Sequence, residues 1–100
     1  MTHQLKIRFS PEEMYQVKEY LSYSEGDNDE VLFDKEYKFD DGNRLALRIV
    51  NSQGSTPWTE AILFNPDGVE LACTECSDNI FGEYDFFIGN DEYHAFVEGE

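Results

Sequence analysis

One hundred residues, 40% of them hydrophobic and 15% aromatic, are enough for a single domain over 1–100 with its own core, and they exclude a disordered acidic chain. Twenty-two Asp and Glu against seven Lys and Arg give a formal charge of −15, the wrong sign for a surface that neutralises nucleic-acid phosphates. No apolar run approaches the roughly 18 residues of a membrane-crossing helix.

The chain opens on "QLKIRF", in which Leu5, Ile7 and Phe9 alternate with Lys6 and Arg8, the period of a half-buried strand. "SPEE" follows. Ser10 can cap, Pro11 suits a first helical position and Glu13 completes a capping box. Met14, Val17 and Leu21 then fall at helical spacing, so a helix is expected to about Tyr23. "SEGDNDE" reads as a loop. "VLFDKEYKF" alternates again, with Val31, Phe33, Tyr37 and Phe39 on one face and Leu32, Asp34, Glu36 and Lys38 on the other.

"DDGN" is a hairpin signal, and "RLALRIV" returns with Leu45, Leu47 and Ile49 inward. After "NSQGSTP" come "WTEAILF", the turn "NPDG" and its partner "VELACTEC". "EYDFFI", the turn "GNDE" and "YHAFV" finish the chain. Short turns pair consecutive strands antiparallel. The fold expected is α+β in the order β-α-β-β-β-β-β-β. One N-terminal helix packs on a twisted, mostly antiparallel meander or partly closed barrel of six to seven strands.

The sequence offers four kinds of site. "CTEC" is a lone C-x-x-C, short of the two pairs or added histidines of a zinc site. On a strand, Cys73 and Cys76 point to opposite faces and cannot share an ion. They are expected to be packing residues, Cys73 buried beside Val69 and Leu71 and Cys76 half-exposed. The acidic loops fail the calcium pattern, because Asp27 as its first ligand puts Val31 at the fifth.

No nucleophile elbow, P-loop, zincin or dinucleotide motif occurs. Neither His3, near the terminus, nor His94, alternating with Tyr93 and Ala95, stands out as catalytic. The expectation is no enzyme, no metal and no cofactor. Two cysteines behind an N-terminus without an apolar signal region point to a reducing cytoplasm.

The acids remain. Residues 1–48 hold all seven bases and 11 acids, while residues 49–100 hold 11 acids and no base. Side chains at i and i+2 of a strand share a face about 6.6 Å apart, close to the step between phosphates of an extended nucleic acid. Asp34 with Glu36 and Glu83 with Asp85 are such pairs, and Glu70, Asp91, Glu92 and Glu98 extend the set.

A rigid carboxylate face of this kind fits a basic, nucleic-acid-binding protein. The expected function is a non-enzymatic inhibitor, either of anti-restriction or anti-CRISPR type or a nuclease-toxin immunity protein. The expected partner is such a protein, with no membrane and no direct contact to nucleic acid. The competing expectation is a small metal- or ligand-binding domain built on Cys73, Cys76 and His94 or on the acidic loops.

Overall fold

A computed structural model describes residues 1–21, 30–51, 57–74 and 80–98. In chain order the elements are β1 (Thr2–Arg8), α1 (Pro11–Leu21), β2 (Glu30–Lys38), β3 (Arg44–Asn51), β4 (Trp58–Phe64), β5 (Glu70–Cys73), β6 (Gly82–Ile88) and β7 (Asp91–Glu98). The class is α+β and the order is the expected one. Residues 24–29 of "SEGDNDE", residues 52–56 and Cys76 lie outside the described residues, as does the stretch beyond Leu21 over which the helix was expected to continue. No described helix is long and apolar enough to cross a membrane.

The strands form two sheets rather than one meander. Strands β2-β3-β4-β5 make an antiparallel sheet, and β1-β7-β6 make a second. The second is mixed. Strand β7 pairs antiparallel with β6 across the Gly89–Asn90 turn and parallel with β1, Leu5 opposite Ala95 and Ile7 opposite Val97. Neither sheet closes into a barrel. Local turn chemistry predicts β2–β3, β4–β5 and β6–β7 correctly, because each is a hairpin. The β1–β7 pair has no such local signal.

Both sheets and the helix feed one core. Ile7, Leu45, Leu47, Ile49, Leu63, Val17, Ile80 and Val97 are fully buried, and Phe9, Phe33, Phe39, Tyr84, Phe86 and Tyr93 pack among them. Phe9, leaving β1, meets Phe33 of the four-stranded sheet edge-on with ring centroids 5.8 Å apart, and meets Phe81 at 6.2 Å. Edge-on pairs like these add stabilisation beyond their buried area.

The helix starts as the sequence dictates. Ser10 Oγ accepts from the Glu13 N–H at 3.2 Å, and Glu13 Oε1 accepts from the Ser10 N–H at 3.0 Å, a reciprocal capping box. Glu13 also receives Lys35 Nζ at 2.6 Å, which ties the first helical turn to β2. The Lys35 contact, with the Ser10 hydrogen bonds, holds the Glu13 carboxyl below its ordinary range.

Two expectations about facing are corrected. Strand β2 carries a bulge between Val31 and Phe33. The extra residue reverses parity, so Leu32 turns to the core and Val31 is 50% exposed. In β5, a register shift against Leu63 and Phe64 leaves Cys73 opposite Ile62 on the outer face. Cys73 is therefore an exposed free thiol and Val69 is 56% exposed, while Leu71 packs against the core.

Two substitutions test this account, read by urea unfolding. Ser10→Ala should cost about 1 kcal/mol through loss of the cap. Leu47→Ala, at the centre of the core, should cost about 2–5 kcal/mol.

Candidate functional site

The alternation of β6 and β7 builds one outward face. Inward, Tyr84 and Phe86 of β6 meet Tyr93, Ala95 and Val97 of β7, all buried. Outward, the register lays three cross-strand rows. Thr2, Glu92 and Phe87 form one; Gln4, His94 and Asp85 the next; Lys6, Phe96 and Glu83 the third. Beyond them Arg8 lies opposite Glu98. The face is polarised. Strand β1 carries its two cations, and β6 contributes only carboxylates and a phenyl ring.

Four of the eight expected acids share this face: Glu83, Asp85, Glu92 and Glu98. Glu98 is neutralised by Lys6 at 3.0 Å and Arg8 at 3.6 Å. Asp34 and Glu36 lie on β2 of the other sheet, where Arg48 and Arg44 approach them at 3.3 and 3.2 Å. The Arg48 guanidinium also sits 5.7 Å above the Phe64 ring, so that face is charge-paired and covered by long side chains. Glu70, opposite Phe64 on β5, belongs to the same sheet. A single ladder of all eight acids is therefore not formed.

Asp91 is corrected as well. It shares the parity of Tyr93, not of Glu92, and lies 3.6 Å from the Met1 amino nitrogen and 3.5 Å from His3 Nε2.

The sequence reading passed over His3. It alternates in step with Leu5 and Ile7, which was the available signal, and its side chain is only 7% exposed. Its Nδ1 lies 2.6 Å from Asp40 Oδ1, and its Nε2 lies 3.6 Å from Asp41 Oδ2. The imidazole stacks on Tyr93, with centroids 4.7 Å apart. The Tyr93 hydroxyl donates to Asp41 Oδ2 at 2.6 Å and accepts from Asn43 Nδ2 at 2.8 Å. This clasp joins β1, the β2–β3 turn and the start of β7, and so ties the two sheets at one end.

Electrostatics follow from that geometry. The Asp40 hydrogen bond, with the charges of Asp41 and Asp40, raises the His3 pKa against the opposing effect of burial. Partial burial disfavours the Asp41 carboxylate, yet the bonds from Tyr93 and the Asn43 N–H, together with His3, hold it below its ordinary range. Burial first, then Asp41, pushes the Tyr93 phenol up to about 12.

His94 is placed differently, out on the face, with Nδ1 2.6 Å from Asp85 and Nε2 3.5 Å from Glu92. The Asp85 hydrogen bond is the main reason its pKa is also raised.

His3, Asp40 and Asp41 are the one described grouping with ligand atoms close enough for a metal, all within 4.8 Å. The 2.6 Å contact between His3 and Asp40 is a hydrogen-bond length. Neighbouring ligands around a tetrahedral divalent ion stand about 3.3 Å apart. The His3–Asp40 separation is shorter than that, as a direct hydrogen bond requires. Cys73 and His94 lie on different sheets, and Cys76 is outside the described residues.

No family model, curated protein or solved structure matches this chain.

The clasp predicts a pH response. A raised His3 pKa contributes stability that is fully present below the ordinary 6.5 and is lost as pH rises through the folded-state value. The lowered Asp41 pKa contributes stability present above the ordinary 3.8 and lost as pH falls through its folded value. The melting temperature should therefore peak between these limits. His3→Gln should flatten the alkaline limb in a thermal melt series from pH 5 to 9, relative to wild type.

Proposed function

We propose that this chain is a non-enzymatic acidic interaction protein that occupies the nucleic-acid-binding surface of a basic partner. The docking surface is the outer face of β6 and β7. One observation carries this reading. Glu83, Asp85 and Glu92 stand together beside two exposed phenylalanines, Phe87 and Phe96, with no lysine or arginine on β6 or β7. Elsewhere the cations are taken up locally, with Arg44, Arg48 and Lys35 facing Glu36, Asp34 and Glu13.

A low-dielectric sheet that fixes carboxylates in place attracts a cationic protein surface and speeds its association. Exposed aromatics supply the apolar contact that charge alone lacks. The partner class is a nuclease or another protein that grips phosphates with Lys and Arg. An anti-restriction or anti-CRISPR protein and a nuclease-toxin immunity protein both meet this description. Cys73, exposed on the other sheet from His94, gives the metal-binding alternative no comparable support.

The test is capture of partners at low salt, followed by competition. Wild-type complexes should dissolve in a rising salt gradient and be displaced by duplex DNA or RNA. A Glu83→Lys/Asp85→Lys variant should bind the same partner at least about 10-fold more weakly, since opposed charges at an interface rim act mainly on association. Partners indifferent to salt, to polyanions and to this variant would overturn the proposal.

A further inference from the structure

We infer that the β6–β7 face recognises arginine rather than positive charge in general, through two exposed phenyl rings, Phe87 set between Asp85 and Glu92 and Phe96 beside Glu83. The inference rests on the docking face proposed above. Phe87 is 66% exposed. Its cross-strand partner is Glu92, and Asp85 lies two residues back on the same face of β6. His94 touches Phe87 edge-on at 6.0 Å, while its two nitrogens engage Asp85 and Glu92. The carboxylates beside the ring are thereby held in place and not left to rotate freely.

Phe96 is the second exposed ring of the face. It is 43% exposed, with Glu83 as its partner on β6 and Lys6 as its partner on β1, while Glu98, two residues along β7, is held by Lys6 and Arg8. An open depression runs beside it, bounded by Gln4, Lys6, Glu83, Asp85 and His94.

The chemistry of the occupant follows from these parts. A guanidinium is flat, weakly hydrated and carries donors around its rim. It can lie on a phenyl face while its N–H groups fork to a neighbouring carboxylate. An ammonium is a strongly hydrated point charge and gains less from the ring. Either cation would suit carboxylates alone, so the exposed rings are what discriminate.

The spacing adds a constraint. Glu92, beside Phe87, is four residues from Phe96 along β7 and one strand over from Phe87, so the rings are about 14 Å apart. Two arginines four residues apart on an extended segment span about 13 Å. The occupant is therefore a segment of a basic protein that presents paired arginines at this separation.

The test uses octa-arginine and octa-lysine as probes, with affinities measured by fluorescence anisotropy at low salt. Wild type should prefer octa-arginine by about five-fold or more. Phe87→Ala/Phe96→Ala should lower octa-arginine affinity more than octa-lysine affinity and so remove that preference. Phe87→Leu/Phe96→Leu, which keeps apolar area and loses the π faces, should behave like the alanine pair. Glu83→Gln/Asp85→Gln/Glu92→Gln should weaken both probes.

Equal affinity for the two peptides, or a preference that survives loss of both rings, overturns the arginine inference and leaves the acidic docking face standing. Binding of both peptides that ignores the triple glutamine variant overturns the docking face itself. Thermal melts of each variant identify any loss caused by unfolding. If an alanine pair fails to fold, the leucine pair decides the outcome.

Discussion

Strand β7 lies between β1 and β6 and is hydrogen-bonded to both, so its two faces have opposite environments forced on them. A flanked strand cannot rotate without breaking two ladders. Tyr93, Ala95 and Val97 are therefore held in the core, and Glu92, His94, Phe96 and Glu98 are held out. The core reaches across to the four-stranded sheet through Tyr93 and Phe39, whose rings meet at 5.2 Å. The proposed docking face and the packing that keeps it rigid are two sides of one backbone.

A chain at −15 must also arrange its few cations where they count. The four-stranded sheet uses Arg44 and Arg48 on its own Asp34 and Glu36, and Lys35 secures the helix through Glu13. Lys6 and Arg8 of β1 reach Glu98 at the far end of β7. Asp85 of β6, the two acids at the start of β7 and the two of the β2–β3 turn are met by histidine. His3 stands against Asp40, Asp41 and Asp91, and His94 against Asp85 and Glu92. Imidazoles titrate near neutrality, so these acids are partly balanced in a way that lysine and arginine would not allow.

Much of the architecture can be read from neighbouring residues. The capping box at Ser10 and Glu13, the hairpin turns and the outward position of Glu83 and Asp85 are all local patterns, and all are present. Reading failed where one extra residue intervened. The bulge in β2 exchanged Val31 for Leu32, and the shift in β5 brought Cys73 to the surface. A bulge is defined by pairing with a partner strand, and the order of residue types along one strand does not announce it.

Two properties of this protein follow from its sequence alone: which side chains share a face in a strand free of bulges, and the confinement of lysine and arginine to residues 1–48. Both depend only on order along the chain. Tertiary structure decided which strands became neighbours. It placed Asp34 and Glu36 beside arginines and left Glu83 and Asp85 without them. It brought His3 within reach of Asp40, Asp41 and Asp91, residues 37 to 88 positions away. The parallel pairing of β1 with β7 spans nearly the whole chain, so it is set by the shared core and not by any turn.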